Sequence, residues 1–176
     1  MSTCIITSGI GFGCPVAGGV KTLRLANYDS DTQYTFGDGS TDPENLIIGA
    51  TAAPDFYLIE SDIEFAGLNQ TIEVDRSNGS FFVETTITLK VINFTNEVRN
   101  FMISAGRAPL VALVESNSGE FALAGVESPG RVDSGEAGFG VEFSDMNGLE
   151  MNIIFRSQAG VYFVDPDIVG TDLPLV

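Results

Sequence analysis

The stretch that most constrains the fold lies at residues 68–92, LNQTIEVD-RSNG-SFFVETTITLKVI. Asn78-Gly79 separates two runs in which apolar and polar residues alternate. Both positions tolerate the positive φ that a tight hairpin turn requires. With Asn78 and Gly79 at the tip, Ser77 faces Ser80, Val74 faces Val83, Ile72 faces Thr85 and Leu68 faces Leu89. That register collects the apolar side chains on one face. The other face pairs Glu73 with Glu84, Thr71 with Thr86 and Asn69 with Thr88. Glutamates directly opposite each other destabilise a sheet. The pair is therefore either a tolerated solvated pair or part of a surface kept negative.

The rest of the chain reads as further strands around one helix. Residues 1–19 are rich in glycine, carry no charge and read as an arm; residues 20–176 read as a single β domain. GIGFG in the arm is no dinucleotide fingerprint, because no strand precedes it and the spacing is wrong. KTLRLAN (21–27) alternates as a strand, residues 28–43 read as a long polar loop, and residues 46–48 as a short strand. Residues 56–65 place Tyr57, Ile59, Ile63 and Phe65 on one parity, and a bend near Gly67 explains the change of phase that follows.

Phe94, Val98, Phe101, Met102 and Ala105 form one stripe at helical spacing. Thr95 is placed to cap that helix, and Gly106 and Pro109 mark its end. LVALVE (110–115) is almost wholly apolar, as expected of a strand covered on both faces. It returns through Ser116–Gly119 into EFALAGV (120–126), forming a second hairpin. Residues 127–138 read as a polar loop, and residues 140–143 and 149–156 as a third hairpin. The pattern predicts a mainly β protein, a sandwich or barrel with one packed α-helix.

Composition narrows the chemistry. Twenty-four acids against eight bases give a net charge of −16, and the chain has no histidine. Binding to nucleic acid phosphates needs clustered Lys and Arg, so it is not expected. The charge fits plain solubility and a conduit that repels DNA alike. Ser-His-Asp and Cys-His sites have no base to work with. A glycosidase carboxylate pair would want aromatic rings for stacking sugars, and the chain has no Trp and only 4 Tyr. DMNG (145–148) lacks the later ligands of a calcium loop and reads as a turn, as does Asp165-Pro166-Asp167. No catalytic residue, cofactor or metal is expected.

Cys4 and Cys14 either bridge or stand as two reduced, small apolar residues. No basic stretch precedes an apolar run at Met1, so synthesis in the cytosol is expected. The longest apolar run, residues 108–114, is far short of a membrane span. Charged residues are 18% against 44% hydrophobic, a sparse charge for a monomer's surface and one that burial against other subunits would accommodate.

The order of elements resembles a known family. A Gly-rich arm leads into GGVKTLRLAN, and a long hairpin runs into one helix, TNEVRNFMIS. LVALVESNSGEFALAG follows, then SGEAGFGVEFSDMNGLEMNIIF. Over residues 18–155 this resembles tail tube proteins of tailed bacteriophages, especially tail-tube-like virion proteins of phages infecting Bacteroidetes. One departure is Met146, where the pattern has a basic residue.

The resemblance implies hexameric rings stacked into a tube, with long strands of each subunit closing an inner barrel around an acidic channel for DNA. The partners it implies are other copies of the chain and other virion tail proteins, with no membrane. The protein would be made in the bacterial host's cytoplasm and end in the virion tail. Asp62, Glu64, Glu73 and Glu84, with Thr71, Thr86 and Thr88 between them, are then expected to line the channel. The arm, with Cys4, Phe12, Cys14 and Pro15, and the loop at 29–43, with Tyr34 and Phe36, are expected to reach neighbouring rings. A terminator, a hub or the inner tube of a contractile injection system would share this pattern. A carbohydrate-binding β-sandwich is the alternative from a different class.

Overall fold

The computed structural model describes residues 17–37, 46–61, 64–142 and 145–176. The expectations for Cys4, Phe12, Cys14, Pro15 and Asp62 lie outside these residues. The fold is mainly β, with two sheets and one α-helix, as the alternation predicts. In chain order the strands are β1 (Val20–Asn27), β2 (Gln33–Phe36), β3 (Ile47–Thr51), β4 (Tyr57–Ile59), β5 (Ala66–Asp75) and β6 (Ser80–Ile92). They continue, after helix α1 (Asn96–Ala105), as β7 (Leu110–Ser116), β8 (Phe121–Ala124), β9 (Arg131–Gly138), β10 (Gly148–Ser157) and β11 (Tyr162–Val164). Among the described residues no helix is long and apolar enough to cross a membrane.

The large sheet has seven strands in the order β2-β3-β11-β8-β7-β1-β4, and the small sheet has four in the order β5-β6-β10-β9. They pack face to face over a shared core. Leu23, Leu25, Ala112 and Val114 from the large sheet meet Ile87, Leu89, Leu149, Met151, Ile153 and Phe155 from the small one. A second core lies on the far face of the large sheet. There Val111, Leu113 and Leu123 are covered by Phe56 and by Ile168 and Leu173 of the C-terminal segment. β7 thus alternates Leu110, Ala112 and Val114 into one core with Val111 and Leu113 into the other. This is why LVALV is apolar at every position.

Thr95 caps α1, its Oγ1 accepting from the Val98 N–H at 3.3 Å. Ala105 is buried, and Val98, Phe101 and Met102 pack against the core between the sheets. The helix therefore lies on the inner side of the small sheet. Asp165 caps a short 3-10 helix, Pro166–Ile168, by accepting from the Asp167 N–H, so DPD is the turn expected of it.

Several sequence expectations are corrected. Residues 28–43 are not all loop, because β2 pairs with β3 inside them. Among the described residues of 56–65 the one strand is the three-residue β4, and a break falls at Glu64 (φ 68°), ahead of Gly67, which lies within β5. Residues 127–138 contain β9, and it is β9, not residues 140–143, that pairs with β10.

The first hairpin also closes differently. Its turn spans four residues, Arg76 to Gly79, so Asp75 faces Ser80 and the register moves by two. Asp75 Oδ1 accepts from the Ser77 N–H (2.8 Å), and Asn78 Oδ1 accepts from the Ser80 N–H (2.9 Å). These side-chain bonds favour the wider turn. A shift of two preserves the faces but changes every partner.

Candidate assembly surface

The outer face of the small sheet is mostly polar, with Ile154 and Phe82 as apolar exceptions. The register sets Gly67, Thr88, Asn152 and Ser134 in one row, and Asn69, Thr86, Ile154 and Arg131 in the next. Thr71, Glu84 and Arg156 form a third, and Glu73 sits opposite Phe82. Thr71, Thr86, Thr88, Glu73 and Glu84 therefore share one face, as expected. Glu64 does not join them; it is exposed in the turn ahead of β5.

The facing glutamates are overturned, because the two-residue shift places Thr71 opposite Glu84 and Phe82 opposite Glu73. Bases also interleave sooner than the hairpin alone shows. Arg156 of β10 donates from Nε to Glu84 at 2.8 Å, and Lys90 Nζ lies 3.0 Å from Glu150. The Thr88 hydroxyl donates to Asn152 Oδ1 (2.9 Å), and Asn152 Nδ2 donates to Ser134 Oγ (3.2 Å). The face is a hydroxyl, amide and ion-pair surface with an acidic excess.

Two backbone edges flank this face. Among the described residues β5 pairs only with β6, and β9 only with β10. Asn69 to Asp75 are all exposed, as are Asp133 to Glu136. A register shift between Asn152 and Ile153 marks a bulge on β9, which bends that strand and raises its twist. Close packing holds β10 between its neighbours. A Cβ on Gly148 would stand 2.2 Å from the Val91 carbonyl oxygen, so only glycine fits there.

The two ends of the small sheet differ from its middle. The β5–β6 tip holds Asp75, whose carboxyl is drawn below its ordinary range by the Ser77 hydroxyl and backbone bonds. At the other end Asp145 Oδ2 accepts from the Val141 and Glu142 N–H groups at 2.7 and 2.8 Å. Those bonds lower its pKa in the same way; of DMNG, expected to be a turn, Asp145 is a bend and Gly148 already begins β10. Beside this loop an open cleft of about 760 Å³ is lined by Lys90, Glu136, Asp145, Glu150 and Asn152 among others, with no aromatic ring among its described lining residues.

Tyr34 and Phe36, expected in an inter-ring loop, stand on β2. Tyr34 packs against the far core, where burial first and Tyr28 second push its hydroxyl up to about 12. Phe36 tilts against Tyr162 with ring centroids 5.2 Å apart. No protein-family model matches the chain, and no curated protein is similar to it in sequence.

Proposed function

We propose that the chain is a structural subunit, not an enzyme, that joins copies of itself side by side into rings, and that the rings stack into a tube of the tailed-phage kind. The observation that carries this reading is the small sheet, mostly polar on its outer face and, among the described residues, open at both edges. Adjacent strands in it alternate in direction, so with four strands the edges β5 and β9 run antiparallel to each other. β9 of one copy can then pair with β5 of the next and continue the same antiparallel alternation. Such a contact joins unlike surfaces, and it closes into a ring when the rotation per copy divides a full turn. Closure removes the exposed edges, which otherwise invite aggregation.

In that ring the outer face of the small sheet, with Thr71, Glu73, Glu84, Thr86 and Thr88, lines the channel. The acidic excess and the net charge of −16 favour a path along which DNA moves without being held. On this reading the subunit is made in the bacterial host and functions in the virion tail. Electron microscopy of the concentrated, negatively stained protein tests it. Hollow rings or tubes are expected. Single closed rings that never lengthen assign it to a terminator or hub, and a monomer at every concentration overturns the proposal.

A further inference from the structure

Both ends of the small sheet carry apolar side chains that nothing among the described residues covers. At one end the β5–β6 hairpin runs past β10, whose last paired residue, Ser157, lies opposite Val83. At and beyond that row Ile72, Val74 and Phe81 share the parity of the core residues, yet they are 65%, 57% and 51% exposed. They carry the inner face of the sheet out past the core. At the other end the loop between β9 and β10 presents Phe139 and Val141, 71% and 98% exposed. Phe139 stands edge-on to Phe94, ring centroids 5.3 Å apart, and Phe94 leads into α1 on the same inner side.

The strands run from one end to the other, so moving one copy along the strand direction brings its hairpin tip onto the next copy's loop. The charges agree with that approach. Arg76 at the tip and Glu142 in the loop have no ion-pair partner among the described residues. Their neighbours Asp75 and Asp145 are occupied within their own turns.

We infer that the hairpin tip of one copy docks on the β9–β10 loop of the next, Ile72, Val74 and Phe81 covering Phe139 and Val141, with Arg76 set against Glu142. The inference rests on the self-assembly reading and adds to it an axial contact separate from the sideways pairing of β5 with β9. A contact between unlike surfaces repeats in one direction, so it builds chains and not closed pairs.

Cysteine pairing tests this. In a Cys4→Ser, Cys14→Ser background, Ser77→Cys and Val141→Cys lie at opposite ends of the sheet and cannot bridge within one copy. After mild oxidation a non-reducing gel should show a ladder of covalent multimers from the double variant, and at most dimers from either single variant. Adding Arg76→Glu should weaken the ladder about two- to fivefold, the range of one exposed ion pair. Adding Glu142→Arg to that should restore it. No ladder in a preparation whose rings are visible by microscopy overturns the axial contact and leaves the ring. Ladders without rings support the axial contact and overturn the ring. Neither ladders nor rings overturns both.

Discussion

The two sheets are built from similar residues and treated in opposite ways. The large sheet is covered on both faces around β7, by the small sheet on one side and by Phe56, Ile168 and Leu173 on the other. Among the described residues the small sheet is covered on one face only, and its hairpin outruns its own core. The difference divides apolar residues between a buried core and an exposed face, the face proposed to meet a neighbour. Leu113 at 0% exposure and Ile72 at 65% are both aliphatic residues on strands, and burial alone separates their roles.

The widest test of that contrast is a pair of truncations. Leu113→Ala should cost about 2–5 kcal/mol of subunit stability in urea unfolding, the range for a fully buried leucine. Ile72→Ala, measured under monomeric conditions, should stay within about 0.5 kcal/mol of the parent, as exposed positions do. Equal losses would erase the distinction between the two regions.

Gly148→Ala sharpens the comparison inside the small sheet. Its Cβ would meet a backbone oxygen that cannot turn aside, so β10 must shift against β6. A loss of about 1–3 kcal/mol is expected, the usual cost of overpacking. Arg156→Gln removes the partner of Glu84 on the polar face. Because the Arg156 side chain is 64% exposed, the expected loss is below about 1 kcal/mol and should shrink further in high salt.

The smallest effect is set by pH. Asp75 and Asp145 both have folded-state acidities below the ordinary value of 3.8. Groups lowered on folding contribute stability above their unfolded pKa and lose it as pH falls through the folded one. Hydrogen-exchange protection at Ser77 and Asn78 and at Val141 and Glu142, corrected for the intrinsic pH dependence of exchange, should therefore fall below pH 3.8 while the backbone of β7 stays protected. Simultaneous loosening of β7 would mean that acid acts on the whole domain and not on its two ends.

Much of this arrangement was legible in the sequence where periodicity and burial agree. The faces of the hairpin, the α1 stripe and the doubly covered β7 follow from alternation and helical spacing. What was hidden depended on partners far along the chain. RVDSGEAG has two glycines, three charges and no apolar alternation, and it is a strand because β10 offers it a ladder, not because of its own propensity. The hairpin register turned on whether Asn78-Gly79 or the Asp75 side chain governs the turn, and Asp75 does. Glu84 looked unbalanced on its own hairpin, while its cation, Arg156, comes from another strand 72 residues away.

The position of β11 has a consequence for the order of synthesis. β2 and β3 leave the ribosome early, yet among the described residues they join the rest of the large sheet only through β11, which stands between β3 and β8. Leu173, which seals the far core, comes later still. A growing chain therefore holds an unfinished large sheet until β11 and Leu173 emerge. Pairing that spans such separations is slow and leaves strands uncovered meanwhile. Until β11 is made, nothing among the described residues ties β2 and β3 to β8, so a chain lacking β11 would leave the large sheet in two parts.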